Sequence, residues 1–351
     1  MPINNINNFS DLEKKTLIES LIDAAKKNDV TAFKKIVREN NLLLTTNIGE
    51  SKLTLFHIAA IGGNLDLIKE YQSIKLNIVS ATIHHHSQIN TLSTENKTGF
   101  HYAAENGHLD CVNYFLNLKS IKNPENDFNK NGLTPLYLAA EKGQSEVVQA
   151  ILEKFPQWAY EPCSIDGCTP LQIAAFKGHL NVVKVLLTTV KKEEIKNLDP
   201  ENKKNKNFRA VFYALQAMHS IFDKNSESTT LSQHLEILKL LQTTDSNFFD
   251  CETDTGMKPV HMAAQSHTAG LKFLLSFNKD NVNCCSMDGN TPMHYAVKFN
   301  QFDNILYLVK KEALLFSINN EEKRPVDIGV NSSNPEIALF FLKENLKQYI
   351  Q

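Results

Sequence analysis

Twelve histidines and six cysteines are the residues of this chain with the most chemistry open to them. His84, His85 and His86 are consecutive, and clustered imidazoles bind transition metals. In an extended segment neighbouring side chains point to opposite sides, so three adjacent rings do not converge. No acidic or cysteine partner sits nearby in sequence, and a solvated loop is the expectation. Cys111, Cys163, Cys168, Cys251, Cys284 and Cys285 show neither the C-x-x-C spacing of a zinc site nor a disulfide framework, and they read as reduced thiols. A cysteine nucleophile needs a lowered thiol pKa and an aligned base. Cys111 falls in an apolar helical stretch, Cys168 beside a turn where exposure is expected, and Cys284 and Cys285 in a connector. None sits in a nucleophile signature. The adjacent carboxylates Glu193 and Glu194 lie among lysines, as a solvated loop would have them. Neither G-x-x-x-x-G-K-[ST] nor G-x-G-x-x-G occurs, so no phosphate cradle is expected. No catalytic residue, metal or cofactor is assigned.

The chain that must position any site has 351 residues and a net charge of −2. That balance argues against a broad basic surface for nucleic acid or anionic lipid. The N-terminus, "MPINNINNFSDLEKK", lacks a secretory leader's basic and apolar regions. No apolar run approaches the roughly 20 residues needed to span a bilayer. A cytoplasmic protein is expected. Of 37 basic residues only Arg38, Arg209 and Arg324 are arginine, a bias that fits an AT-rich genome.

Organisation comes from repetition. "GLTPLYLAAEKGQSEVVQAIL" begins at Gly132 and "GCTPLQIAAFKGHLNVVKVLL" at Gly167. Related phrases begin at Lys52, Lys97, Gly256 and Gly289, with fainter copies from Glu19, Arg209 and Lys323. The second small residue of the Ala-Ala pair, or its replacement, falls at 25, 60, 104, 140, 175, 215, 264, 297 and 330. A period near 33 with insertions marks a stacked-repeat architecture. Each copy reads as helix–turn–helix. Thr134, Thr169 and Thr291 cap the first helix, with Pro135, Pro170 and Pro292 at its first position. Gly107, Gly143 and Gly178 end it where a left-handed residue is wanted. Asn28 and Asn300 stand at that place in two copies, and His267 in a third. Val182, Val183, Leu186 and Leu187 share one face of a second helix. No copy can bury that face alone, so copies must stack.

Thr-Pro-Leu-x-x-Ala-Ala followed by Gly-His resembles the ankyrin repeat. The match is strongest over 131–187 and 255–308 and extends with decay over about 16–345. The resemblance implies an all-α solenoid of paired helices with hairpin-like fingers. First helices and fingers would line a concave side, and second helices a convex back. It gives His57, His101, His261 and His294 a structural hydrogen-bonding role between turns, and a frame role to His108 and His179. It also implies a protein partner, touched by the residues beside the finger turn and the two after Ala-Ala. Those are Glu105, Asn106, Leu133, Glu141, Lys142, Cys168, Phe176, Lys177, Met257, Gln265, Ser266, Asn290, Lys298 and Phe299. Phe176 and Phe299 stand out as aromatics not needed by the frame, each weighed against folding back onto a neighbouring repeat. Trp158 is expected in the core of a connector, with a partner for its indole N–H.

The expected organisation is one array of about nine repeats, near 16–45, 50–80, 96–125, 131–160, 166–190, 207–245, 255–285, 288–318 and 321–345. Insertions fall at 72–96, 188–206 and 219–230. The first copy, with Lys26, Lys27, Lys34 and Lys35, reads as a polar cap, and the last copy as a cap for the other end. A non-catalytic protein-binding module is the leading expectation, similar to ankyrin proteins that intracellular bacteria deliver into host cells. The alternatives are an enzyme with a site on the atypical 190–235 region, or a structural subunit of an assembly, betrayed by an apolar patch on the convex back. The oligomeric state stays open.

Overall fold

Capped short helices, tight turns and longer amphipathic helices alternate along the chain because each copy of the phrase carries its own start and stop signals. The computed structural model describes residues 9–40, 42, 47–48, 50–78, 93–118, 129, 132–163, 167–189, 209–220, 227–245, 249 and 251–350. Among them lie nine helix pairs. They are α1 (Asp11–Lys26) with α2 (Val30–Glu39), α3 (Leu55–Gly62) with α4 (Leu65–Ile78), and α5 (Gly99–Glu105) with α6 (Leu109–Leu116). Next come α7 (Pro135–Glu141) with α8 (Ser145–Lys154), α9 (Pro170–Lys177) with α10 (Leu180–Thr189), and α11 (Ala210–Ser220) with α12 (Glu227–Thr244). The last are α13 (Pro259–Ala264) with α14 (Thr268–Phe277), α15 (Pro292–Lys298) with α16 (Phe302–Lys310), and α17 (Pro325–Val330) with α18 (Pro335–Ile350). Among the described residues there is no strand, only a single bridge between Ile48 and Leu53.

The chain divides into two units, residues 1–170 with 188–191, and residues 171–187 with 192–351. Within the first, α1, α3, α5 and α7 pack side by side, and α4, α6 and α8 form a second layer. Within the second, α11, α13, α15 and α17 pack side by side, with α14 against α16. The Ala-Ala pair sits fully buried between first helices, where a larger side chain would hold the layers apart.

The first-helix cap also ties repeats together. Thr54, Thr98 and Thr134 accept the backbone N–H three residues on. In the histidine-bearing copies the ring Nδ1 accepts the cap's own N–H, at 3.1 Å for His57, 3.2 Å for His101 and 3.0 Å for His294. That fixes the proton on Nε2, which donates to the next finger: His101 to the Leu133 carbonyl at 3.2 Å, His261 to Cys284 at 3.0 Å, His294 to Lys323 at 3.1 Å. The structural role expected for these histidines is what the geometry shows.

Gly107, Gly143, Gly178, Asn28 and Asn300 all have positive φ, as their place demands. His267 does not. It is extended (φ −93°, ψ 136°) and caps α14. The seventh repeat is one residue shorter between its helices, so the left-handed position is missing altogether. Trp158 is fully buried and stacks on Phe155 with ring centroids 4.7 Å apart. Its indole N–H, expected to be bonded, has no acceptor among the described residues.

Two insertions are partly helical: α4 runs on to Ile78, and α11 and α12 leave only residues 221–226 between them. Residues 79–92, 190–208 and 221–226 lie outside the described set. The two ends of the array differ in character. Lys26, Lys27 and Lys35 are exposed on the first repeat, whereas the last helix shows leucines to solvent.

Candidate functional site

In the first unit, fingers and first helices enclose a groove of about 610 Å³. Ser51, Leu53, Glu95 and Lys97 come from fingers, Tyr102, Glu105 and Asn106 from α5 and its cap, Lys142 from the end of α7, and Gln144 from the start of α8. Glu105 is its hinge point. Its carboxylate lies 2.9 Å from Lys97 Nζ and 3.6 Å from Lys142 Nζ, linking the third repeat to the fourth. Lys97 also reaches Glu95 at 3.1 Å and sits over the Tyr102 ring at 5.5 Å. Burial pulls the Lys97 pKa down, but the ion pairs to Glu105 and Glu95 outweigh it and hold the amine above its ordinary value. Asn106 and Lys142 are exposed beside this network. A surface tied down in this way loses little side-chain entropy when something docks on it.

Three of the residues named from sequence, Glu105, Asn106 and Lys142, are thus brought together. Glu141 and Leu133 are half-buried nearby in sequence but do not line the groove. The Leu133 backbone serves the frame, its carbonyl receiving His101 and its N–H donating to Asn129 Oδ1 at 2.9 Å. Cys168 was expected at the surface and is buried. Its carbonyl pairs with the Cys163 N–H at 2.8 Å across the finger, which turns both side chains to the same inner side.

In the second unit Phe176 is half-buried, edge-on to Tyr213 at 6.3 Å, with Lys177 exposed above its ring. Phe299 remains 40% exposed and touches His219 edge-on at 6.3 Å. Folding back onto a neighbour therefore applies in part to Phe176 and less to Phe299. Lys298 is exposed, while Met257, Gln265 and Asn290 are half-buried. Asn290 Oδ1 accepts from Asn319 at 2.7 Å, and Gln265 packs against Met262 sulfur at 2.8 Å. Ser266 is a correction. It is buried and its hydroxyl bonds the Ala263 carbonyl at 3.2 Å, because the shortened turn pulls it inward.

One cysteine does meet a histidine. Cys284 Sγ lies 3.5 Å from His261 Nε2. The pair is not an activated nucleophile. Nδ1 of His261 accepts the Lys258 N–H at 2.9 Å, so Nε2 carries the proton and donates it to the Cys284 carbonyl. Burial pushes the thiol up to about 11 and the imidazole down to about 4, opposite to what thiolate formation requires. Cys111 is core, pushed up to about 12 by burial. Among the described residues no group of three His, Cys, Asp or Glu could hold a metal ion, and His84–His86 lie outside them. No helix among the described residues is long and apolar enough to cross a membrane.

Sequence reasoning missed Lys97 and Tyr102. Lys97 occupies the same finger position as Leu133, but Asn96, with φ 55°, stands where other fingers have glycine. A search keyed on the glycine passes it by. It also missed a ladder of side chains at the second helices. His108 bonds the Ile61 carbonyl at 2.8 Å, Gln144 that of Glu105 at 3.4 Å, and His234 that of Phe176 at 3.2 Å. His234 makes in α12 the contact that His108 and Gln144 make at the starts of α6 and α8.

Two family models described as ankyrin repeats match the chain, one over residues 71–161 and 228–349 and the other over 138–187. Among curated proteins none matches. A solved structure that is similar in fold is one chain of a complex between a predatory endopeptidase of Bdellovibrio bacteriovorus and its immunity protein. It is 24% identical, with a TM-score of 0.47, over 59% of this chain and 96% of that one.

Proposed function

The chain belongs to the ankyrin-repeat family, and on that premise we propose that it is a non-catalytic module that binds a protein partner through the concave face of fingers and first helices. The observation that carries this reading is the Glu105 network. It joins recognition positions of consecutive repeats into one prearranged surface, with Asn106 and Lys142 presented beside it. Phe299 and Lys298 offer a second cluster of the same kind in the other unit. Binding acts by occupying, bridging or masking the partner, and the network's ion pairs bias it toward a polar, charged partner surface rather than an oily one.

The test is a quantitative pull-down from eukaryotic cell lysate, comparing wild type with Asn106→Arg/Lys142→Glu and with Phe176→Ala/Phe299→Ala, each checked for folding. Proteins enriched by wild type and lost with either variant support the reading. Partners retained by both move the site elsewhere. The scarcity of arginine, a mark of an AT-rich genome, favours as the finer proposal delivery into a host-cell cytoplasm. A translocation reporter that stays silent in infected cells would sink that part alone.

A further inference from the structure

Four fingers are clasped at the base by an oxygen of their first residue, which accepts the N–H of the residue that closes the turn. Ser93 Oγ takes it from Lys97 at 3.2 Å, Asn129 Oδ1 from Leu133 at 2.9 Å, Thr253 Oγ1 from Met257 at 3.2 Å and Asn319 Oδ1 from Lys323 at 2.9 Å. In each, the first residue's own N–H donates to the carbonyl of the closing residue, at 3.0–3.1 Å. The fifth finger keeps this backbone half. Its Cys163 N–H donates to the Cys168 carbonyl at 2.8 Å, and Gly167, with φ 71°, is the bulge residue between them. The side-chain half is different. Sulfur, a weaker acceptor, stands where the other four have oxygen, and the residue opposite is a second cysteine, which those four lack.

Residues paired across an antiparallel turn by such a bond have Cα atoms about 5.5 Å apart. A disulfide spans about 4.4–6.8 Å between Cα atoms. Both side chains lie on the same inner side, 4% and 1% exposed, and both are thiols here. We propose that Cys163 and Cys168 form a redox modification site, a dithiol that closes into a disulfide clasp on meeting a low-molecular-weight disulfide such as oxidised glutathione. One cysteine thiolate attacks that disulfide, forming a mixed disulfide and releasing one glutathione thiolate. The second cysteine thiolate attacks the protein sulfur of the mixed disulfide, closing the S–S bond and releasing the other glutathione. Each leaving thiolate takes up the proton its attacker gave. The protein pair loses two electrons, and one glutathione disulfide becomes two thiols. Burial sets the order of events: the finger must open for the first step, and the second thiol already stands opposite when that step is done. The clasp then fixes a finger that sulfur holds less well than oxygen holds the others. Any effect on a partner rests on the finger-face reading above, whereas the cross-link does not.

The folded full chain, incubated with reduced and oxidised glutathione at several ratios and then alkylated, tests this by peptide mass mapping. The expected product is a peptide carrying both residues that is two hydrogens lighter, bears no added group and returns to the dithiol with dithiothreitol. Hydrogen exchange over residues 160–170 should slow roughly tenfold in the oxidised protein. Cys163→Ser restores the oxygen that Ser93 supplies, so it should fold with unchanged circular dichroism and show exchange that the oxidant does not alter. Glutathione adducts or alkylated thiols at both positions, without the lighter peptide, overturn the proposal. So does a cross-link that forms only in urea, or one that leaves exchange of the finger unchanged.

Discussion

Asn304 donates its side-chain N–H to the carbonyl of Ala264 at 2.9 Å, from a helix position that Cys111, Val147 and Val182 hold in other repeats. The same amide also reaches the carbonyls of Ala263 at 3.3 Å and Ser266 at 3.1 Å. Elsewhere the left-handed turn lets backbone N–H groups close the first helix: Gly107 and His108 donate to Ala104 and Ala103. The seventh repeat lacks that residue, so a fully buried polar side chain of the eighth repeat supplies the missing donor. A polar residue in an apolar pattern here compensates for a deletion one repeat away.

Asn304→Val should therefore destabilise, although valine is what the repeat pattern prefers there. Losing the donor while the carbonyls stay buried costs about 1–3 kcal/mol. Inserting a glycine between Ser266 and His267 should recover part of that loss in the variant. Urea unfolding of the four proteins checks both statements, and a neutral Asn304→Val would show that the carbonyls find other donors.

Stability should fall on mild acidification. Burial, offset in part by the hydrogen bond to the Cys284 carbonyl, holds His261 at about 4, against about 6.5 in an unfolded chain. Between those values the unfolded chain binds the extra proton, so the contribution is intact above about pH 6.5 and lost as pH falls toward 4. The full difference is about 3 kcal/mol. His294, lowered by burial, acts in the same direction. Thermal unfolding from pH 7 to 4.5 should show a falling Tm, with a shallower slope for His261→Gln.

Thiol labelling separates the binding module from a cysteine enzyme. With iodoacetamide at pH 8, exposed Cys285 should react well before half-buried Cys284, whose thiol is held near 11. Cys284 reacting first would mean that His261 activates it.

Leu186 lies buried in α10, as the repeat phase requires. Leu186→Ala should cost on the order of 2–5 kcal/mol in chemical denaturation. A nearly silent change would put the phase of the fifth repeat in error.

Much of this fold was legible because the repeat writes its own punctuation: Thr-Pro at a helix start, Ala-Ala at a close approach, Gly at a left-handed turn. What was not legible follows from substitution by a residue of another type with the same backbone. Asn96 replaces a finger glycine and hid Lys97; His267 stands where a turn residue would be but belongs to a shorter turn. Ser266 and Cys168 show the related limit. Their positions count as surface in an ideal repeat, and a one-residue deletion or the inward side of a finger buries them. Asn304 and Ala264 are 40 residues apart in the chain, and no local pattern reports that they compensate each other.

The most direct measurement is the affinity of a captured partner for three proteins: wild type, Asn106→Arg/Lys142→Glu on the finger face, and Leu339→Asp/Leu342→Lys on the second-helix face. The account predicts at least about tenfold weaker binding for the first variant, the loss of a charged contact worth about 1.4 kcal/mol or more. It predicts an unchanged affinity per chain for the second. Wild-type affinity for the finger-face variant, with loss confined to the leucine variant, would contradict it and place recognition on α18.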